Sequence, residues 1–236
     1  MSTITEKKDS KNEIISSFHK AKFSEAIESR TKAIVNFDML GLPTNKSEEY
    51  RFTPITKSLD KNFSWENKIA PSNVQSIEEF LIPGLDANVI VFINGSYSKT
   101  LSKISSPEVQ VKVRTLGEAL PTDKEIINQY FDKLVNSETD PFAAMNAAFW
   151  QEGLFIHVPQ NTKVDKPILI LHINDAIATQ VITHTRLLAV VENSSELTVI
   201  EKFNTTGGQP AFHTFTEEII IKENSQLEYC KIQNDH

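Results

Sequence analysis

The chain has 236 residues, of which 39% are hydrophobic and 23% charged, and its formal net charge is −7. This composition is typical of a globular protein, and the length suits one large domain or two smaller ones. No stretch approaches the roughly 18 apolar residues of a membrane span, and the acidic balance argues against general affinity for nucleic acid. The polar N-terminus lacks the features of a secretory signal or a transit peptide. We therefore expect a cytoplasmic protein that binds neither nucleic acid nor membrane.

Spacing motifs for common chemistries are absent from the sequence. It contains no G-x-x-x-x-G-K-[ST] phosphate loop and no G-x-G-x-x-G, G-x-S-x-G, H-E-x-x-H or C-x-x-C motif. Its single cysteine, Cys230, excludes an internal disulfide and an all-cysteine metal site within one chain. The sequence therefore gives no support to nucleotide-binding, acyl-transfer or zinc chemistry.

The first elements along the chain are predicted to be helical. Residues 1–12 predict a flexible tail. One helix face is indicated by residues that recur at spacings of three and four: Phe23, Ala26, Ile27, Arg30, Ile34 and Phe37. Gly41 and Pro43 mark its end, and an earlier turn or two, carrying Ile14, Ile15 and Phe18, is expected to pack against it.

The next stretch has weaker periodicity. Glu48–Pro54 predicts an extended segment, since Pro54 disfavours helix at Thr53, and residues 60–76 predict a loop. Asn88–Ile93 predicts a strand, and the dipeptide Asn94-Gly95 predicts a tight turn after it.

Further elements follow before the middle of the chain. A half-buried strand is predicted where Val109, Val111 and Val113 alternate with polar residues. Two helices are then predicted, from Asp123 to Val135 and from Pro141 to Trp150. Asp140 is expected to cap the second of these helices and Gly153 to end it.

Residues 154–236 consist of short β-prone runs that repeat a pattern. Val191–Leu197 matches Ile221–Leu227, and Val158–Val164 is a looser copy. Each copy predicts a strand, a polar turn and a strand, and the last residues of the three copies are 33 and 30 positions apart. Such units must stack on their neighbours to bury their faces. The pattern predicts a strand solenoid, or β-helix, with a β-sandwich as the alternative.

The composition shift places a domain boundary near residues 145–153. We predict a flexible tail over 1–12, a helical and mixed domain over 13–145, and the first part of a β-helix core over 146–236. No capping helix follows the last predicted strand before His236. Because a solenoid needs a cap, the chain is expected to be a fragment, with coverage by an oligomer as the alternative.

The candidate chemical residues of the second half are histidines, one cysteine and carboxylates. A metal-binding β protein is an alternative, because the last 80 residues contain most of the histidines: His157, His172, His184, His213 and His236. Cys230 is predicted to be a buried, inert thiol, with Lys231 on the opposite face of its strand.

A carbohydrate-acting β-helix enzyme would use pairs of carboxylates. The candidates are Glu217 with Glu218, and Glu192 with Glu196. Adjacent Glu217 and Glu218 are expected to point to opposite faces of one strand and to make a poor pair.

Several segments resemble the SufB/SufD family of iron–sulfur cluster assembly proteins. Gly41-Leu42-Pro43-Thr44 and the following Glu48–Ile55 are similar to a pattern near the start of its SufD branch, although Tyr50 stands where the family usually has tryptophan. The other similar segments, in the same order, are Asp140–Phe149, Gly153–Pro159, Lys166–Ile168 and Arg186–Phe203. The resemblance covers the chain apart from the tail and residues 60–76.

The resemblance implies an α+β, mainly β fold. An N-terminal helical and mixed domain would precede a right-handed parallel β-helix core, truncated here, and the family's C-terminal helical domain would be absent. It further implies a non-catalytic scaffold subunit, cytoplasmic, that pairs with a SufB-like β-helix paralogue and a SufC-like ABC ATPase; a homodimer is also possible.

The family's residues implicated in cluster assembly lie in the missing half. The resemblance therefore assigns no catalytic, cofactor-binding or metal-binding residue to this chain. It implies no cofactor here other than an iron–sulfur cluster assembled transiently by the full complex.

Overall fold

The structure, a computed structural model, describes residues 9–21, 23, 27–65 and 69–235. It divides into two compact units, of which one comprises Met1–Lys68 with Asn136–Phe149 and the other Ile69–Val135 with Trp150–His236. The described residues form helices α1 to α6 over Ser10–Lys20, Ile27–Leu40, Ile55–Asn62, Leu116–Ala119, Lys124–Tyr130 and Pro141–Phe149. They form strands β1 to β9 over Asn88–Ile93, Ser96–Tyr97, Lys112–Thr115, Glu152–Val158, Ile168–Asp175, Val181–Val191, Glu196–Thr206, Ala211–Ile221 and Gln226–Asn234. Short 3-10 helices lie at Glu48–Tyr50 and Glu78–Phe80.

The first helices confirm the predicted periodicity in part, because Phe23 precedes α2 and lies outside any helix. Helix α1 starts at Ser10, inside the predicted tail, because the Asp9 carboxylate accepts the backbone N–H of Asn12. Helix α2 ends where Gly41 adopts a positive φ of 67° and donates its N–H to Phe37. Arg30, the polar member of the predicted face, is buried and donates to the carbonyl of Ala148 at 3.0 Å. Residues 1–8 and Ala26 lie outside the described part of the chain.

The predicted extended segment at Glu48–Pro54 is wrong. Successive short-range hydrogen bonds, from Tyr50 to Ser47, Arg51 to Glu48 and Thr53 to Tyr50, curl it into a 3-10 helix and a turn. Helix α3, which the sequence analysis did not predict, follows directly. Pro54 restricts the residue before it, but its own fixed φ suits the start of a helix.

Three other predicted elements differ in extent. The strand predicted at Val109–Val113 begins at Lys112, and Val109 is 79% exposed. The helix predicted over Asp123–Val135 ends at Tyr130, since Asp132 adopts a φ of 61° that a helix does not allow. Helix α6 starts as predicted, with the Asp140 carboxylate accepting the N–H of Ala143 at 2.7 Å. Gly153 lies within β4 rather than at the helix end.

The strands of the second unit form two mixed sheets. The five-stranded sheet has the order β2-β1-β5-β7-β9, and the four-stranded sheet has the order β3-β4-β6-β8. From β4 onward, successive strands alternate between the two sheets, and each pairs in parallel with the strand two places further along. Strands β1 and β3 pair with β5 and β4, which explains why residues 69–135 belong to this unit. The predicted domain boundary at residues 145 and 146 divides the chain differently and stays a prediction.

The repeated turns confirm the internal repeat. The fourth residue of each copy, Asn161, Ser194 or Asn224, has a φ of 57°. The turns stack through backbone hydrogen bonds, because the N–H of Asn161 donates to Asn193 and that of Ser194 donates to Glu223, both at 3.0 Å. Equivalent positions of the repeat thus occupy equivalent places in the structure.

Ser195 ties two neighbouring turns together. Its buried hydroxyl donates to the carbonyl of Pro159 at 2.7 Å and accepts the N–H of Thr162 at 3.1 Å. We expect Ser195→Ala to lower the free energy of unfolding by about 1–3 kcal/mol, because the Thr162 N–H and the Pro159 carbonyl lose a buried hydrogen-bond partner. Urea unfolding measures this loss. Ser225→Ala, at the same repeat position but bonded within its own turn, is the matched control; an equal loss from both variants would contradict the explanation.

The fold is therefore α+β, with mixed sheets and more strand than helix. Among the described residues, no helix has the length and apolar character needed to cross a membrane.

Candidate functional site

The space between the two sheets changes from apolar to polar along the strands. At one end, a hydrophobic cluster combines Ile168 and Val199 of the five-stranded sheet with Leu187 and Ala189 of the four-stranded sheet. Side chains alternate between the two faces of a strand, so every second residue faces this same space. Toward the other end these positions hold the interior polar cluster, which we define as His172, Glu201, His213, Glu217, Tyr229 and Lys231.

Two carboxylates of this cluster share their partners. The Tyr229 hydroxyl lies 2.8 Å from Glu217 Oε1 and also contacts the Glu201 carboxylate. The Lys231 ammonium binds Glu217 and lies 3.7 Å from Glu201 Oε2. A hydroxyl has one proton and donates to one carboxylate at a time, so the second contact is best satisfied when that carboxyl group is itself protonated.

Burial favours such a shared proton. It is the main cause that raises the pKa of Glu201, which is fully buried. It also raises the pKa of Glu217, and the charge of Glu201 adds to this effect. The same desolvation, together with both carboxylates, raises the pKa of Tyr229, so its hydroxyl stays protonated.

A stack of rings borders the two carboxylates. Phe92, His172 and Phe203 occupy the same register position on β1, β5 and β7. The His172 ring is nearly parallel to both neighbours, with centroids 5.4 Å from Phe92 and 4.5 Å from Phe203. His213 lies 5.4 Å from His172 and places its Nε2 2.7 Å from the Thr185 hydroxyl.

The interior histidines are neutral at physiological pH. Burial lowers the pKa of His172 to about 3, and the charge of Lys231 acts in the same direction. Burial also lowers the pKa of His213 well below its ordinary value. Within the described residues neither His172 nitrogen has a hydrogen-bond partner, and the nearest carboxylate oxygen, Glu201 Oε1, lies 3.5 Å from Nε2. His172 therefore acts as a packed aromatic ring rather than as an acid or base.

The neutral state of His172 predicts a pH dependence of stability. An unfolded histidine, with a pKa near 6.5, takes up a proton as the pH falls, whereas folded His172 does so only near pH 3. The free energy of unfolding therefore falls below about pH 6.5, by about 1.4 kcal/mol per pH unit for one such histidine. His172→Phe keeps an aromatic ring in the stack but removes the titrating group. In this variant we expect the free energy of unfolding to fall less steeply as the pH falls, by up to about 1.4 kcal/mol per pH unit.

Urea unfolding between about pH 4 and pH 7 measures the two slopes. His19→Phe, at an exposed position of α1, controls for the substitution itself. Identical slopes for the wild-type chain and His172→Phe would contradict a neutral, buried His172.

The structure separates the histidines that the sequence analysis grouped. His157 and His184 lie on the outward face of the four-stranded sheet, where His157 stacks on Phe155 and the Nδ1 of His184 contacts the Thr214 hydroxyl at 2.6 Å. Within the described part of the chain, no three histidine, cysteine, aspartate or glutamate side chains could together hold a metal ion. His236 lies outside that part. The metal-binding alternative gains no support from this arrangement.

The prediction of a buried Cys230 is wrong, because the residue is exposed. Strand β9 pairs on one side, with β7, and is the edge of the five-stranded sheet. The prediction that neighbouring Lys231 takes the opposite face agrees with its contacts in the interior polar cluster.

The candidate carboxylates all have other partners. Glu217 faces the interior, whereas Glu218 is buried on the outward face and accepts backbone N–H groups of residues 132–134. Glu192 pairs with Lys222 at 2.7 Å, and Glu196 pairs with Lys163 at 2.6 Å. The opposite orientation of Glu217 and Glu218 is thus confirmed, and the arrangement gives no support to a carbohydrate-acting site.

The interior polar cluster was not among the sites predicted from the sequence. A signal for it was available in the 30-residue repeat, which aligns Leu187 with Glu217 and Val199 with Tyr229. Polar residues at repeat positions that are apolar in the neighbouring copy indicate a polar interior.

Two regions of one protein family match consecutive parts of the chain. The SufBD protein N-terminal region matches residues 9–170. The SUF system FeS cluster assembly, SufBD core domain, matches residues 172–236.

Curated relatives agree with these matches. An iron-sulfur cluster assembly SufBD family protein of Synechocystis sp. is 25% identical over 209 residues, which cover 84% of this chain and 46% of that protein. Relatives with the same description from Staphylococcus saprophyticus and Staphylococcus haemolyticus are 24% and 25% identical, over 87% and 88% of this chain and 46% of each protein. The chain thus spans about half the length of these relatives. It belongs to the SufB/SufD family of iron–sulfur cluster assembly proteins.

Proposed function

We propose that this chain is part of a non-catalytic scaffold subunit for iron–sulfur cluster assembly, in the SufD branch of its family. The observation that carries the proposal is the match of both family regions, in order, over residues 9–170 and 172–236. The subunit acts in the cytoplasm within a SufBCD-type complex. It pairs with a SufB-like paralogue and with a SufC-like ABC ATPase whose ATP hydrolysis drives assembly, and the cluster is the cargo of the complex.

The two-sheet arrangement supports a parallel β-helix as the core of this subunit. Strands from β4 onward alternate between the sheets, and the parallel ladders repeat every 30 residues between β6 and β8 and between β7 and β9. Such a rod is stiff along its stacking direction.

The chemistry of the interior also supports a scaffold role. Its buried histidines are neutral, and its carboxylates are bound by Tyr229 and Lys231. The contacts among Glu201, Glu217, Tyr229 and Lys231 favour a structural role for the interior polar cluster. A pairing partner and an ATPase then supply the chemistry.

Reconstitution tests the proposal. The full-length protein is co-purified with its SufB-like and SufC-like partners, supplied with iron and sulfide, and assayed for ATP-dependent cluster transfer to an apo iron–sulfur protein. We expect transfer to fall at least about tenfold when this subunit is omitted, a change of about 1.4 kcal/mol in the barrier. Unchanged transfer without the subunit, or failure of the three proteins to associate, would contradict the proposal.

A further inference from the structure

The helical unit contains an open groove at the end of α2. A cavity of about 760 Å³ is lined by Leu40–Thr44, Ser47–Tyr50, Thr139 and Pro141. The aliphatic parts of Leu40, Leu42 and the two prolines and the ring of Tyr50 give it an apolar floor. The groove lies entirely within one compact unit, far in sequence from the interior polar cluster.

The exposed apolar side chains of this unit lie beside the groove in sequence. Among the described residues of the unit, the large apolar side chains that are exposed are Val35, Met39, Leu40 and Phe52. Met39, which is 74% exposed, directly precedes the groove residue Leu40. Phe52, which is 90% exposed, lies two residues after the groove residue Tyr50. Exposed apolar side chains at a groove favour its use as an interaction surface, and Leu40 is both exposed and part of the groove lining.

The charge of the groove is negative. Glu48 and Glu49 line it, whereas none of the described lysine or arginine residues does. Neither glutamate side chain has a hydrogen bond or ion pair with any described residue. Asp140 lies close enough to raise the pKa of Tyr50, in addition to the larger effect of burial. A positive group in the groove would meet two free carboxylates and the face of an aromatic ring, which attracts cations.

We propose that this groove binds a segment of a partner protein that presents lysine or arginine side chains between apolar ones. The cationic groups pair with Glu48 and Glu49, and the apolar side chains cover the apolar lining of the groove, which includes Leu40 and Leu42. This inference is independent of the iron–sulfur role, because it follows from the shape, charge and exposure of the helical unit.

A labelled peptide tests the groove. The probe is a capped decapeptide of alternating arginine and leucine, titrated with the chain while fluorescence anisotropy is recorded. We expect the double variant Glu48→Gln, Glu49→Gln to bind about five- to tenfold more weakly than the wild-type chain. A peptide of alternating glutamate and leucine should bind at least tenfold more weakly than the arginine peptide.

The chain offers a matched control for charge. Glu78 and Glu79 begin a second 3-10 helix with the same Glu-Glu-aromatic sequence, outside the groove. Glu78→Gln with Glu79→Gln changes the net charge equally and should alter the dissociation constant by less than about twofold. Equal weakening by both double variants would overturn the proposal, because it would show that overall charge attracts the peptide.

The apolar contact has its own control. Leu40→Ser should weaken binding about fivefold, because Leu40 lines the groove, whereas Val109→Ser, at an exposed valine outside the groove, should not. Both side chains are exposed, so neither variant should unfold the chain, which circular dichroism verifies. Failure of the wild-type chain to bind the arginine peptide below about 1 mM, or equal effects of the two serine variants, would overturn the proposal.

Discussion

Replacing Glu218 with alanine is expected to lower the free energy of unfolding by about 3–5 kcal/mol. The Glu218 side chain, 1% exposed, accepts the backbone N–H groups of Asp132, Lys133 and Leu134 at 2.7, 2.7 and 2.9 Å. Its Oε2 also lies 3.5 Å from the buried guanidinium of Arg186. One carboxylate therefore holds the chain reversal after α5 against β8, more than 80 residues away in sequence.

The loss is large because Glu218 is itself buried and its carboxylate binds several groups at once. Three backbone N–H groups lose their acceptor. Arg186, in contrast, keeps two other contacts, with Asp132 Oδ1 at 2.9 Å and with the ring of Phe131. Denaturant unfolding of Glu218→Ala measures the cost. Glu223→Ala, at an exposed position in the next turn, is expected to change the free energy of unfolding by less than about 0.5 kcal/mol. A loss below about 1 kcal/mol for Glu218→Ala would contradict this anchoring role.

Gly207→Ala is expected to destabilise the protein by about 3 kcal/mol or more. Gly207 has a φ of 88°, which a side chain makes unfavourable, and an added Cβ would lie 2.5 Å from backbone atoms of Ala176 and Ile177. The obstructing atoms cannot move aside easily. The N–H of Ala176 donates to Thr206 at 2.8 Å, and its carbonyl accepts the N–H of Gln209 at 3.0 Å.

The adjacent glycine provides the control for this prediction. A Cβ added to Gly208 would meet no atom within 4 Å, and its φ lies outside the left-handed region. We expect Gly208→Ala to change the free energy of unfolding by less than about 1 kcal/mol in either direction. Thermal and urea unfolding of the two variants compare them directly. Equal stability of the two alanine variants would show that the close approach of Gly207 to Ala176 is not a constraint.

The strand-rich character of the second half could be predicted from sequence because a short turn pattern recurs there, although the repeat is weak. The polar turn that separates the strands recurs in Val158–Val164, Val191–Leu197 and Ile221–Leu227, and each copy places one residue at a φ of 57°. A turn with a fixed geometry sets the register of the strands on both sides of it. The alternation of apolar and polar residues then distinguishes the faces of each strand.

The first half was harder to predict because its local signals are short or conflicting. Pro54 disfavours a helical conformation at Thr53, which favoured the prediction of an extended segment. The 3-10 helix at Glu48–Tyr50 is a single turn, and one turn leaves no periodic pattern in the sequence. The end of α5 at Tyr130 depends on Glu218, which is remote in sequence. Long-range partners of this kind override local helix propensity.

The interior polar cluster shows the same limit at the candidate site. Glu201 and Glu217 belong to different strands on different sheets, and they meet through Tyr229 because the strands alternate between the sheets. Inspection of each strand alone treats these glutamates as solvent-facing. Cys230 was misassigned for a related reason, since alternation gives the face of a residue but not whether that face is covered.

Affinity purification tests the central claim, that this chain belongs to a scaffold subunit of an iron–sulfur cluster assembly complex. The chromosomally encoded full-length protein is tagged at its N-terminus and purified from its host, and mass spectrometry identifies and quantifies the co-purifying proteins. We predict near-stoichiometric recovery of an ABC ATPase with a P-loop and of a second SufB/SufD family protein. Recovery of the tagged protein with neither partner, under conditions that preserve other complexes of the host, would contradict the account.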